Sequence, residues 1–168
     1  LPPEKLGQVS SSSRVYSIIK SLMNSVIVVL VPRLSYYVSN ANEEEYNNVV
    51  NKVVEIFILF LPTVCVGMCC EARGILTIFG GSDYLGGSSA LMILSGATFF
   101  ATFACLFSYC VLMPFNKEKY FMISTISAAV VNIVLNLVWI PIFGINAAAL
   151  TTLISEVIIF CVTFKISK

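Results

Sequence analysis

The sequence contains no histidine and carries few charges. Lysine, arginine, aspartate and glutamate make up 11% of its 168 residues, whereas a soluble domain has about 25%. Without histidine, the Ser-His and Cys-His arrangements of nucleophilic catalysis are excluded. We find no positioned pair of carboxylates that would replace them, so we do not expect an enzyme. There is also no basic patch with interleaved aromatic residues, so we expect no nucleic-acid partner.

The charges that are present cluster, which leaves two long uncharged stretches. Between Asp83 and Lys117 lie 33 uncharged residues, and between Lys119 and Glu156 lie 36. One membrane span requires about 20 apolar residues, so each stretch is long enough for a span and a turn. Together with a mean hydropathy of +0.91, these stretches predict an all-α fold, a polytopic membrane bundle of helices.

The six cysteines all lie in apolar surroundings, and we interpret them as small buried hydrophobic residues. A metal site would be expected to combine cysteine with histidine, which the chain lacks. We therefore predict no metal site and no cofactor. The six are Cys65, Cys69, Cys70, Cys105, Cys110 and Cys161.

Apolar segments bounded by proline, glycine or charged residues predict five membrane-length helices. We expect the first helix to end at Pro32 and the fourth to close at Pro141 and Gly144. Helices four and five are joined by a few residues only, so they should be antiparallel neighbours. The predicted spans cover about 9–31, 53–70, 90–113, 121–140 and 146–164.

The connecting segments carry signals of their own. Asn42 precedes three glutamates and predicts the N-cap of a short interfacial helix that leads into the second span. Pro62 lies inside that span, where we expect a kink. The glycine-rich stretch 80–87 lacks the Gly-Lys-Ser/Thr ending of a phosphate-binding loop, so we interpret it as an extramembrane turn.

Basic residues are distributed unequally between the two sides of the predicted bundle. By the positive-inside rule, the end of helix one and the C-terminus are expected to be cytoplasmic. The first helix then enters the membrane from outside. The cytoplasmic set comprises Arg33, Lys52, Lys117, Lys119, Lys165 and Lys168, and the opposite set comprises Lys5 and Arg73.

The first predicted helix carries a polar stripe. Its members recur at steps of three and four residues, so that they fall within an arc of about 120°. They are Ser10, Ser13, Arg14, Ser17, Lys20, Ser21 and Asn24. Cations inside a span are costly and usually face a bundle interior or a water-filled cavity. We therefore predict that the stripe lines a transport path for an anionic or sugar-bearing substrate.

The alternative for the two cations is that they snorkel to the headgroups. That alternative suits Arg14, near the outer end of the helix, better than Lys20, which lies near mid-depth. We take the substrate-binding candidates to be Arg14, Ser17, Lys20, Ser21 and Asn24.

A carboxylate, Glu156, lies near mid-depth of the fifth helix, and such a group is expected to have a partner. One alternative is an ion pair with Lys20 or Arg14. The other is a coupling site, at which proton binding follows the transport cycle. On the fourth helix, Asn132 and Asn136 lie one turn apart, and we favour interhelical hydrogen bonds over substrate contacts for both.

Several segments resemble the bacterial polysaccharide repeat-unit flippases of the multidrug, oligosaccharidyl-lipid and polysaccharide exporter superfamily. The first helix, with Arg14-Val-Tyr16, Lys20 and Pro32-Arg33-Leu34-Ser35, resembles the eighth span of that family. Later spans of the family are similar to Asn132-Ile-Val-Leu-Asn136, Ile140-Pro141, Gly144, Ala147-Ala148 and Thr151-Thr152-Leu-Ile-Ser155-Glu156.

The resemblance implies a transporter that moves undecaprenyl-pyrophosphate-linked oligosaccharides across the bacterial cytoplasmic (inner) membrane for O-antigen, capsule or exopolysaccharide. Members alternate access between two six-helix bundles around a cationic cavity, and the motif positions place Arg14 and Lys20 on the cavity wall. H⁺ or Na⁺ coupling and a polysaccharide polymerase partner are implied expectations. Because five spans are predicted here, we expect a C-terminal fragment, part of one lobe of such a transporter. The alternatives are a multidrug exporter of the same superfamily and a non-transporting scaffold of a polysaccharide assembly complex.

Overall fold

The computed structural model describes residues 3–167, with side chains for 7–144 and 146–167. Across the described residues the fold is all-helical and has no strand. The α-helices are α1 (Pro3–Val28), α2 (Val31–Ser39), α3 (Glu43–Cys70), α4 (Ala72–Gly80), α5 (Ser88–Leu106), α6 (Glu118–Phe143) and α7 (Ile145–Ser167). A 3₁₀ segment, Ser82–Gly87, precedes α5, and a π-helical segment, Phe107–Leu112, continues it. Of the basic residues counted for orientation, Lys168 and the side chain of Lys5 lie outside the described residues.

The prediction of an all-α fold with five membrane-length helices is confirmed. Five helical stretches within the described residues are long and apolar enough to cross a membrane. They are Gly7–Ser39, Glu43–Cys70, Ser82–Leu112, Glu118–Phe143 and Asn146–Ser167.

The first helix ends earlier than its proline predicts. α1 stops at Val28, and Pro32 lies in the first turn of α2, which begins at Val31. Proline suits a first turn because the N–H that it lacks would have no intrahelical acceptor there. The residue that was expected to close one helix therefore opens the next.

The Asn42 N-cap is confirmed, but the separate interfacial helix is wrong. The Asn42 side chain accepts a hydrogen bond from the backbone N–H of Glu45 at 3.3 Å. From Glu43 the helix continues without a break to Cys70, with Pro62 inside it. The polar residues before the second span include no helix breaker, so they extend α3 and do not form an element of their own.

α5 is the central helix of the bundle, packed against α1, α3 and α7. Its buried face includes Ala97, Ala101 and Ala104, and such small residues let neighbouring membrane helices approach closely. α7 packs against both α5 and α6, so α6 lies on the outside of the bundle. Gly144, with φ +62°, makes the tight turn between α6 and α7 in a backbone conformation that favours glycine.

The glycine-rich stretch packs closely against the start of α1. The Ser12 hydroxyl donates to the Gly87 carbonyl at 2.9 Å, and the Gln8 amide donates to the Asp83 carbonyl at 3.0 Å. A Cβ on Gly87 would lie 2.6 Å from Ser12 Oγ and 2.7 Å from the Gln8 carbonyl oxygen. Close contact between two backbones therefore accounts for a glycine at this position.

Candidate functional site

Three polar side chains from α1 and α7 meet inside the bundle. The Glu156 carboxylate oxygen Oε1 accepts a hydrogen bond from the Tyr16 hydroxyl at 2.8 Å. The same oxygen accepts a second hydrogen bond from the Lys20 amine, which forms an ion pair with it. Only 10% of the Glu156 side chain is exposed, against 31% of Lys20. We call these three residues the charged cluster.

The charged cluster follows from helical spacing on α1. Tyr16 and Lys20 lie four residues apart and therefore point in nearly the same direction from the helix. The Lys20 amine also lies 5.5 Å from the centre of the Tyr16 ring, within the range of a cation–π contact. Sequence reasoning did not include Tyr16 among the site residues, although its spacing from Lys20 was a signal that could have identified it.

The structure separates the predicted polar stripe into an inner and an outer part. Lys20 turns towards α7, whereas Arg14, Ser17 and Ser21 lie on the exposed side of α1. The exposed side also carries Ile18 and Leu22, which are 46% and 58% exposed. Among the described side chains, Arg14 forms no ion pair and no hydrogen bond.

Two shallow grooves run along this exposed side of α1. One, of about 390 Å³, is lined by Ser10, Ser13, Arg14, Ser17 and Ile18. The next, of about 330 Å³, is lined by Ser17, Ile18, Ser21, Leu22 and Ser25. A further cavity of about 280 Å³ lies among Tyr37, Tyr46 and Phe115 and contains none of the predicted site residues. We call the exposed side of α1 from Ser10 to Ser25 the α1 groove.

Asn24 is the fifth predicted substrate-binding residue. It lies one turn beyond Lys20, and its side-chain oxygen is buried without a hydrogen-bond partner among the described residues. A buried amide oxygen without a donor is costly and is usually satisfied by a partner, water or a ligand. The structure therefore leaves Asn24 with an open acceptor next to the charged cluster.

The α1 groove differs from a surface that faces lipid. The exposed side of α6 carries many large apolar side chains, which include Ile126, Ile133 and Leu137. That composition suits contact with acyl chains. The exposed side of α1 instead presents Arg14 with several hydroxyls, which in a membrane require water, a ligand or another helix. The α1 groove is therefore a surface with a cation and several hydroxyls that the described part of the bundle leaves uncovered.

The predicted interhelical role of the two asparagines is confirmed. Asn132 donates to the Ser155 hydroxyl at 3.1 Å, and Asn136 accepts from the Thr151 hydroxyl at 2.7 Å. Asn136 also donates to the side-chain oxygen of Asn132 at 2.8 Å. Along α6 the paired residue numbers rise, and along α7 they fall, so the two helices are antiparallel, as predicted. The hydrogen-bond network therefore links α6 to α7.

The fold and the site together define a multi-pass helical membrane protein with a charged cluster in its interior and an uncovered polar groove. No protein-family model and no solved structure matches the chain. The chain is similar to a curated protein of the archaeon Haloferax volcanii named probable low-salt glycan biosynthesis flippase Agl15. The two are 23% identical over 155 residues, which cover 92% of this chain and 33% of that protein. The chain thus spans about a third of the length of this relative.

Proposed function

We propose that this chain is part of a flippase that moves lipid-linked glycans across a membrane. The observation that carries the proposal is the α1 groove, a polar and cationic surface left uncovered on a membrane helix. The name of the Haloferax volcanii relative, a probable glycan biosynthesis flippase, supports the same class of substrate. In such a protein the rest of the molecule would form the opposite wall of the transport path.

The chemistry of the groove suits a phosphate-linked glycan. Arg14 presents a guanidinium whose paired N–H groups match phosphate oxygens. Lys20, at the inner edge of the groove and paired with Glu156, is the second cation of this part of α1. The hydroxyls of Ser17 and Ser21 line the groove and are suited to sugar hydroxyls. The unpaired amide oxygen of Asn24 is buried in this structure and would have to become accessible to join them. We assign the phosphate of the carrier to the two cations and the glycan to the other three residues.

The assignment of a particular lipid carrier and membrane rests on the resemblance of the sequence motifs to the bacterial polysaccharide flippases. We propose that the substrate is an undecaprenyl-pyrophosphate-linked oligosaccharide and that the membrane is the bacterial cytoplasmic membrane. The chain would then lie in the C-terminal lobe, with H⁺ or Na⁺ as the coupling ion and a polysaccharide polymerase as a neighbour. Glu156 is the coupling candidate, because it is the carboxylate of the charged cluster.

A multidrug exporter of cationic compounds is the less suitable member of the same superfamily. Such a protein requires an acidic surface for its substrates, whereas the uncovered groove here is cationic at Arg14. The carboxylate of Glu156 already pairs with Lys20. Nothing in the described residues favours that alternative over the anionic substrate.

A complementation experiment on the intact protein tests the proposal. The host is one whose surface polysaccharide depends on this protein, and membrane insertion is measured alongside export. We expect Arg14→Ala or Lys20→Ala to abolish surface polysaccharide while the protein still inserts. Lys52→Ala is the matched control, since it removes an exposed cation of α3 and should leave export intact.

The same experiment separates the proposal from a scaffold function. A scaffold that recruits other proteins has no use for a substrate-binding cation on α1, so export would survive Lys20→Ala. Normal surface polysaccharide in both the Arg14 and the Lys20 variants would contradict the flippase proposal.

A further inference from the structure

In this structure the Lys20 amine is already paired with an anionic group of the protein, the Glu156 carboxylate. Both hydrogen bonds that the structure gives the Glu156 carboxylate end on one oxygen, Oε1, and one of them comes from the Lys20 amine. Oxygen acceptors of a carboxylate and of a phosphate present similar geometry and the same sign of charge to an ammonium group. We infer that Glu156 pairs with Lys20 when no ligand is bound, and that the phosphate of a bound ligand displaces the Glu156 carboxylate from the Lys20 amine. This inference rests on the proposed function and adds a ligand-controlled switch to that site.

Lys20 is more accessible than Glu156, as the displacement of Glu156 by an incoming anion requires. Lys20 is 31% exposed, whereas Glu156 is 10% exposed. An incoming anion therefore reaches the amine from its open side without first removing the carboxylate. Ser17, which lines both grooves, lies three residues before Lys20, so the α1 groove and the charged cluster are less than one helical turn apart along α1.

Tyr16 makes the displacement of Glu156 tolerable. A buried carboxylate without any donor is strongly unfavourable, and the exchange takes the Lys20 ammonium away from Glu156. The Tyr16 hydroxyl, at 2.8 Å, remains as a donor after the exchange because it does not depend on Lys20. Among the described residues, Cys105 of α5 is a further titratable group that lies close to both charges. Tyr16 is thus a positioning residue that holds Glu156 in both states.

The exchange would change how the helices are held together. α1 packs chiefly on α5 and on the 3₁₀ segment, and its contact with α7 is sparse. The ion pair is therefore a principal link between α1 and α7. When a phosphate takes Lys20, the ion pair is lost and the Tyr16–Glu156 hydrogen bond remains as a polar link between α1 and α7. Ligand binding therefore weakens the attachment of α1 to α7, while the packing of α1 against α5 is unaffected.

Binding of farnesyl pyrophosphate to the intact protein in nanodiscs tests the inference, with farnesol as the neutral control for the lipid chain. Glu156→Gln removes the competing charge, so we expect the dissociation constant to fall about tenfold, which corresponds to about 1.4 kcal/mol. Tyr16→Phe removes the donor that Glu156 retains after the exchange, so we expect binding to weaken severalfold. A purely structural role of the cluster predicts weaker binding in both variants, or no change in either.

Matched controls come from α3 and α2. Glu55→Gln removes an exposed carboxylate, and Tyr36→Phe removes an exposed hydroxyl, and neither should alter the dissociation constant. If wild type and all variants bind farnesyl pyrophosphate no better than farnesol, the proposed function of this site fails and the inference with it.

The remaining outcomes separate the inference from the function. If wild type prefers the pyrophosphate and Lys20→Ala abolishes the preference, the binding site stands. Unchanged or weaker binding in Glu156→Gln would then overturn the exchange alone. If Glu156→Gln does not fold, Tyr16→Phe decides, because unchanged or tighter binding in that variant contradicts the role given to its hydroxyl.

Discussion

Replacing Lys20 by methionine should destabilise the protein although it preserves the length and the apolar part of the side chain. The change removes the positive charge from beside Glu156, which is 10% exposed. The carboxylate would keep the Tyr16 hydroxyl as its donor. A buried charge without its partner is more costly than either the intact pair or no charge at all. Replacing Lys20 alone should therefore destabilise the protein more than replacing Lys20 and Glu156 together.

The structure sets the expected size of this effect. Removing one partner of a buried ion pair costs about 3–5 kcal/mol. Lys20 is 31% exposed, so water reaches part of the pair and the lower end of that range applies. The retained hydrogen bond from Tyr16 lowers the cost further, by about 1 kcal/mol. We therefore expect Lys20→Met to reduce the free energy of unfolding by about 2 kcal/mol.

The assay is reversible unfolding of the intact protein in mixed detergent micelles, followed by helical circular dichroism. The double variant Lys20→Met with Glu156→Gln should recover most of the lost stability, because it leaves no unpaired charge. Lys52→Met is the matched control, since Lys52 is an exposed lysine of α3 with no ion-pair partner among the described side chains. A Lys20→Met variant as stable as the Lys52→Met variant would refute the reasoning.

Four further predictions concern the packing of the bundle, each measured by the same unfolding assay. Gly87→Ala should cost at least 1 kcal/mol, because its Cβ would meet atoms of α1 at 2.6 Å and 2.7 Å. Gly67→Ala has nothing within 4 Å, so it should be neutral or slightly stabilising, and a loss equal to that of Gly87→Ala would contradict this. Asn136→Leu removes two hydrogen bonds of the α6–α7 network and should cost about 1 kcal/mol; an unchanged midpoint would show that the network is dispensable. Tyr46→Phe, which loses a 3.1 Å hydrogen bond to a carbonyl of the π-helical segment, should cost a similar amount, whereas Tyr36→Phe should cost nothing.

The sequence predicted the five membrane-length helices because each apolar run must be covered by lipid or by other helices. That requirement does not depend on how the helices pack, so runs such as the 36 uncharged residues before Glu156 are informative by themselves. Helix ends depend on local context, and there the prediction was weaker. Pro32 is compatible both with the end of one helix and with the first turn of the next, and the sequence alone does not distinguish the two.

For the candidate site, the sequence suggested which residues to consider and not how they are arranged. Helical spacing places Lys20, Arg14 and Ser17 within one arc of α1. Which edge of that arc faces the interior depends on where α7 lies, and periodicity within α1 carries no information about α7. The structure places Lys20 at the inner edge against Glu156 and leaves Arg14 at the outer edge. Tyr16 was missed for the same reason, since its role depends on a partner 140 residues away.

The comparison of α1 with α6 shows why a polar helix face is not by itself evidence for a transport path. Both helices carry polar residues at helical spacing, and on α6 the face with Asn132 and Asn136 is covered by α7. The side-chain amides of Asn132 and Asn136 form hydrogen bonds with α7, so they stabilise the packing of the two helices. On α1 the guanidinium of Arg14 has no partner among the described side chains, and the Asn24 oxygen is buried without a donor. On α1, Arg14 therefore requires water, a headgroup, another helix or a ligand, and we propose that this partner is the phosphate of the substrate.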